Sequence, residues 1–141
     1  MSQENVELVR RFYAKLASAG SPRDFERRLG DDALSDFLDP GIEWVPPPQS
    51  LMAVDSYRGF AGTRRFWLEF LSTWEEYGVD PLSFDDVGDQ VAVVVRIAGR
   101  THGLEVDETR SSLLTIRDGR IVRVEAFADP GGAREAAGLA S

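Results

Sequence analysis

The sequence has no cysteine, one histidine and two methionines among its 141 residues. Without cysteine there is no disulfide framework and no thiolate chemistry, a composition that suits a reducing compartment and leads us to expect a cytoplasmic protein. A lone imidazole, His102, leaves few transition-metal ligands. An oxygen-only site stays open on these grounds, but no metal and no cofactor are expected. Nowhere do about 18 apolar residues run together, which excludes a membrane-spanning helix. The first residues, Met-Ser-Gln-Glu-Asn, hold neither a basic nor an apolar segment, so no leader is expected. Positive charge is also in deficit: 16 Lys and Arg face 24 Asp and Glu, a net charge of −8. The arginines are interspersed with acids instead of forming a stripe, so no nucleic-acid partner is expected. There is no phosphate loop and no dinucleotide fingerprint. Gly59-Phe60-Ala61-Gly62-Thr63 starts a helix and lacks the lysine that a phosphate cradle needs.

What is present is apolar and aromatic. Apolar residues make up 43% of the chain, with eight Phe and three Trp, enough for one ordered domain over residues 1–141. Val6, Val9, Tyr13 and Leu16 recur at helical spacing and predict a helix from Asn5 to Ala19, closed by Gly20. Ser21-Pro22-Arg23-Asp24 supplies a cap and a first turn for a second helix carrying Phe25 and Leu29. A further turn holds Leu34, Phe37 and Leu38, and Asp39-Pro40-Gly41 breaks the pattern. Ile42 to Val45 reads as a short strand stopped by prolines 46 to 48, and Gln49 to Asp55 as an irregular loop. Phe60 to Tyr77 predicts the longest helix, dense in aromatics, with Phe66, Trp67, Phe70, Trp74 and Tyr77 read chiefly as core.

Beyond Gly78 the pattern is β. Val79–Val87 and Gln90–Arg100 flank Gly88-Asp89, and Leu104–Arg117 and Arg120–Asp129 flank Asp118-Gly119. Asp-Gly between alternating runs is a strong hairpin signal, because a type I′ turn needs positive φ at both central residues. Val91 to Val95 is apolar on both faces, as a strand covered on both sides would be. Helices followed by strands, without alternation, define an α+β fold with a mainly antiparallel sheet. Arg110 and Ser112 share parity with Leu114 and Ile116, and Thr109 and Ser111 with Leu113. Parity alone does not say which set points inward, since one bulge would exchange them.

Several segments together resemble the SnoaL-like branch of the nuclear transport factor 2-like superfamily, over nearly the whole chain. They are Val9-Arg10-Arg11-Phe12-Tyr13, Leu38-Asp39-Pro40-Gly41-Ile42-Glu43-Trp44, Tyr57-Arg58-Gly59, Thr115 to Val122, and Ala136-Ala137-Gly138-Leu139. The resemblance implies a cone-shaped α+β barrel, three N-terminal helices on a strongly curved sheet, with an apolar cavity opening at one end. It also implies a homodimer paired through the outer face of the sheet, and a small apolar organic ligand.

Fold does not fix function on this scaffold, which hosts isomerases, cyclases, epoxide hydrolases and binding modules. Asp129 is similar in position to a catalytic aspartate of SnoaL-type cyclases, and Arg96 to the arginine that orients such a carboxylate. The pair is therefore the candidate for cofactor-independent acid–base work, Asp129 as base and Arg96 as its orienter. The alternative for Asp129 is a turn cap before Pro130. Arg96 interrupts an apolar strand, where an arginine must pair or snorkel. The chain departs from the epoxide hydrolase pattern at Ala98, Ile42 and Trp44, and from the steroid isomerase pattern at Val45 and Ser112. Those missing groups argue against both reactions and favour a non-catalytic ligand-binding or protein-interaction module as the alternative. Tyr13, Trp44, Trp67, Arg110 and Ser112 are the candidate ligand-binding residues. His102, in a turn between strands, is a further acid–base candidate, set against a merely solvated turn residue. A cavity lined by an aspartate would favour an enzyme; one plugged by Trp and Phe would favour a module.

Overall fold

The computed structural model describes residues 2–47 and 56–139, so the loop expected over Gln49 to Asp55 lies outside the described residues. Helix α1 (Ser2–Ala17) buries Leu8, Val9, Phe12, Tyr13 and Leu16 along one stripe. Gly20 follows it for a different reason from the left-handed cap expected. Its φ is not positive, and a Cβ there would lie 2.6 Å from the Tyr77 carbonyl oxygen. Close approach of the backbone, not helix termination, requires the glycine. Helix α2 (Pro22–Arg28) starts as the sequence predicts: the Asp24 N–H donates to Ser21 Oγ at 3.1 Å, and Pro22 occupies the first turn. Helix α3 (Asp31–Ser35) completes this layer, with Phe25, Leu29 and Leu34 fully buried.

Strand β1 (Leu38–Val45) begins four residues earlier than expected. Asp39-Pro40-Gly41 falls in a register shift between Leu38 and Glu43, where an irregularity tolerates proline inside a strand. Strand β2 (Tyr57–Arg58) pairs antiparallel with β1 and leads into α4 (Gly59–Ser72). At 14 residues α4 is shorter than the 16-residue α1, and it stops well before Tyr77. Residues Glu76–Val87 instead form β3, Glu76 opposite Arg100 and Tyr77 opposite Gly99. Glu75 N–H donates to the Arg100 carbonyl at 2.7 Å as the new ladder begins. Pairing across the sheet outweighs the helix propensity of Glu75 and Glu76, which is worth only tenths of a kcal/mol, about 0.5, per residue.

Strands β4 (Gln90–Thr101), β5 (Leu104–Arg117) and β6 (Arg120–Phe127) complete a six-stranded sheet in the order β2-β1-β6-β5-β4-β3. Only β1 and β6 run parallel. The sheet is curved but open, so the expected cone is not a closed barrel. Asp118 and Gly119 have φ of 52° and 76°, as the type I′ hairpin demands. His102 and Gly103 repeat the geometry at 51° and 76° between β4 and β5. The exposed edge strand β3 carries Pro81 and a register shift at Pro81/Ser83, features that discourage further strand addition.

The bulkier β4 set, Val91, Val93, Val95 and Ile97, faces the helices and joins one large core with Leu114, Ile116, Ile121 and Val124. The outer set of β4 is covered partly by the chain's own tail. Helix α5 (Gly132–Ala136) packs Ala133 against Ala92 and Leu113, with Phe127 and Ala137 beside them. Ala92, on the outer side of Val91–Val95, is thus covered within the protomer.

Candidate functional site

Inside the curve of the sheet lies a cavity of about 430 Å³. All three tryptophans, Trp44, Trp67 and Trp74, stand in its wall, together with Phe66, Phe70 and Tyr77. Their rings interlock edge to face: Trp44 and Trp67 have centroids 5.6 Å apart at 81°, Phe70 and Tyr77 5.2 Å apart at 90°. Trp67 also stacks on Phe25 of α2, centroids 6.0 Å apart, which braces the wall from behind. A rigid aromatic lining follows, and the rings frame the space without filling it.

The polar groups come mainly from one side. Arg110 and Ser112 lie on the inward face of β5, opposite Val95 and Val93 of β4, so theirs is the set that points inward. Ser112 also faces Ala126 of β6, and the small side chains Ala126 and Ala128 leave room beside these polar groups. Tyr13 reaches the cavity from α1. Burial raises its phenol pKa to about 12, with the Ser112 hydroxyl acting in the lowering direction. Tyr77 is also pushed up, by burial first and then by Tyr13, while the Arg110 charge acts against the shift. Both phenols are therefore protonated donors at neutral pH. Arg110 gives Nε and Nη2 to a single oxygen, Glu108 Oε2, at 2.9 and 2.6 Å. At the rim stand Thr101 and His102; Thr101 Oγ1 donates to the Thr73 carbonyl, and Gly103 N–H to Glu75 Oε1 at 2.6 Å, so the β4–β5 turn is tied to the end of α4.

Tyr13, Trp44, Trp67, Arg110 and Ser112 thus share one cavity. Arg96 and Asp129 do not belong to it. Arg96 sits on the outer face of β4 in the set of Ala92, Val94 and Ala98, and binds Asp107 through Nε and Nη2 at 2.9 and 2.6 Å. That pairing explains how a strand can carry an arginine, and it holds the Asp107 carboxyl below its usual range, the hydrogen bond being the largest cause. Asp129 lies beyond the end of β6, exposed, with Oδ1 accepting the Gly131 N–H at 3.0 Å. This is the turn-capping alternative, and no contact joins Asp129 to Arg96 among the described residues. Among the described residues no aspartate lines the cavity and no side chain plugs it.

His102, an acid–base candidate from the sequence, stands in this wall, and Trp74 and Tyr77 join it where the sequence pointed to core. Trp74 and Tyr77 were assigned to a helical core stripe; the end of α4 at Ser72 turns them towards the cavity. A second hollow of about 410 Å³ on the outer face holds Arg58, Arg117, Arg120 and Arg123 with Asp39, Glu43 and Asp118. Glu43 is shared by Arg58 and Arg123 at 3.3 and 3.2 Å, and Arg120 donates to the Ser35 and Gly119 carbonyls, so most of its cations are already engaged. Among the described residues no group of three or more His, Cys, Asp or Glu is placed to hold a metal ion, and no helix is long and apolar enough to cross a membrane.

An open, curved sheet over helices with an aromatic cavity in its hollow is a cone-shaped α+β fold, the fold also of a nuclear transport factor 2-like protein of known structure. Residues 9–124 match the family model for the SnoaL-like domain, and the chain belongs to that family. Among solved structures it is similar to TerC co-crystallised with polyporic acid, at 24% identity over 96% of this chain and 98% of that one, TM-score 0.71. It is similar also to Bal32a from a soil-derived mobile gene cassette, at 19% identity over 89% of each chain, TM-score 0.71. An NTF2-like protein from Burkholderia xenovorans LB400 gives 21% identity over 97% of this chain and 98% of that one, TM-score 0.68. At such identities the likeness is one of fold. No curated protein matches the chain.

Proposed function

We propose that the protein binds a small, mostly apolar organic molecule inside its curved sheet. One observation carries this reading: the unfilled cavity of about 430 Å³ has every tryptophan of the chain in its wall and only a few polar groups, the composition of a small-molecule site. Membership of the SnoaL-like family supports it, and TerC, a structure of the same fold, was crystallised with polyporic acid. Because Trp44, Trp67 and Trp74 all line the cavity, intrinsic fluorescence reports occupancy directly. Titration with apolar aromatic probes should quench it saturably, and mass spectrometry under native conditions should show bound mass. A linear, unsaturable response to all such probes would remove the binding reading.

A second reading, cofactor-independent acid–base turnover, is favoured by the protonated Tyr13 phenol beside Ser112 and by His102 at the rim of the same cavity. Tyr13 would donate to a substrate carbonyl oxygen while His102 took or returned a proton, in an isomerase, cyclase or hydratase type of reaction. Asp129 and Arg96 have no part in it. Turnover abolished by His102→Gln with binding intact is the expected signature. Unchanged turnover in that variant would eliminate the base.

We also infer a homodimer formed through the outer face of the sheet, supported by the half-buried Val94 and Ala98 there. Light scattering during size exclusion should give twice the 15.6 kDa chain mass; a monomer at micromolar concentration would contradict it.

A further inference from the structure

The chain is acidic, yet the wall of its cavity is not. Among the described residues no Asp or Glu lines it, and Arg110 is the one permanently charged side chain that does. Nε and Nη2 of Arg110 are held by Glu108 from one side; Nη1 has no partner among the described residues, and the side chain keeps 27% of its surface open. The guanidinium therefore presents an unused donor edge to the hollow. Ser112 stands two residues further in on the same face, Tyr13 adds a protonated phenol, and Ala126 opposite Ser112 leaves space for a ligand group rather than filling it. The influence of the Arg110 charge on Tyr77 places that charge within electrostatic reach of the aromatic interior. Arginine suits this position because its planar fork binds a planar oxyanion with two parallel hydrogen bonds, and because such bonds strengthen away from bulk water.

Deepening the small-molecule reading, on which it rests, we propose that the ligand is a planar aromatic molecule bearing one anionic oxygen head group, a carboxylate or an ionised enol, and that Arg110 selects the charge. The rings occupy the Trp44–Trp67–Trp74 wall, and the head group meets Arg110 with Ser112 and Tyr13 as neutral donors. Glu108 acts as a placeholder, keeping the guanidinium oriented in the empty site and yielding a share of it to the ligand. A cationic ligand of the same shape is rejected by the same residue, since like charge and lost hydrogen bonds both oppose it.

Three isosteric probes decide it: naphthoate, naphthamide and naphthylmethylammonium, titrated into the full chain with tryptophan fluorescence as the readout. Naphthoate should bind about tenfold tighter than naphthamide, the discrimination expected of one charge-assisted contact, and the ammonium weakest. Arg110→Gln should erase the preference for naphthoate over naphthamide, and circular dichroism confirms the fold. Glu108→Gln retains the arginine and should tighten naphthoate alone. Equal affinity of naphthoate and naphthamide, or a preference that survives Arg110→Gln, overturns the charge selection while the binding reading stands. Failure of all three probes overturns both.

Discussion

The hydroxyl of Ser111 accepts the backbone N–H of Ala133 at 3.0 Å and donates to the Asp129 carbonyl at 2.8 Å, fastening the carboxyl-terminal helix to the outer face of the sheet. Ser111 is 1% exposed, so neither partner has water as an alternative. Ser111→Ala leaves the Ala133 N–H and the Asp129 carbonyl unpaired, at a cost of about 1–3 kcal/mol. Urea denaturation should show a lower midpoint of about that size, and limited proteolysis should cut first after Phe127. A variant with wild-type stability would mean that α5 is held by Ala133 packing alone.

The same helix shows what the sequence could and could not convey. Hairpin positions were legible because Asp118-Gly119 satisfies a local φ requirement, and the Ser21 cap because its hydrogen bond spans only three residues. Where α4 yields to β3 was not legible, since that boundary depends on Gly99 and Arg100, more than twenty residues away. The inward parity of β5 was open until Val95 was found opposite Arg110. For Arg96 a signal did exist. It alternates with Ala92, Val94 and Ala98, while the bulkier Val91, Val93, Val95 and Ile97 form the opposite row. Larger side chains belong to the main core, so the arginine had to face out. The β6 ladder ends at the pair of Phe127 and Ser111, two residues before the turn at Asp129.

Placement outside the cavity makes Arg96 and Asp129 dispensable for ligand binding. Asp129→Asn keeps an acceptor for the Gly131 N–H, and Arg96→Gln gives up a solvent-exposed ion pair whose worth is largely screened. Both variants should quench with any aromatic probe at wild-type affinity, within about a factor of two. A tenfold loss in either would place that side chain back in the site.

Within the aromatic wall, Trp67 and Trp44 should respond differently to truncation. Both are nearly buried, at 7% and 4% exposure, but only Trp67 carries a buried Nε1 without a hydrogen-bond partner among the described residues. Trp67→Phe removes that orphaned donor along with part of the ring, so relief of desolvation offsets some of the lost packing. Trp44→Phe sits between Phe12, Phe66 and Trp67 and has no such offset. The Trp67 variant should therefore be the more stable of the two by about 1 kcal/mol in chemical denaturation. The reverse order would show that Trp67 Nε1 is satisfied in solution.

Tyr13 gives the protein an alkaline weakness with a defined sign. Burial raises its pKa from 10.0 to about 12, so the folded state holds the phenolic proton after the unfolded chain has lost it. Below about pH 10 both states are protonated and the group adds no pH dependence; between the two values the unfolded state binds fewer protons, and stability falls as pH rises. The slope from this residue is at most about 1.4 kcal/mol per pH unit. Tyr77, raised in the same direction by burial, steepens the decline. Denaturation midpoints measured from about pH 9 to about pH 12 should drop accordingly, and Tyr13→Phe should remove its share of the slope while leaving stability at neutral pH within about 1 kcal/mol of the parent. Tyrosinate absorbance offers the independent check: its rise should coincide with unfolding in the parent chain. An ionisation of Tyr13 near its ordinary pKa, with the fold intact, would mean that the phenol is open to water and that the cavity is wetter than its aromatic wall implies.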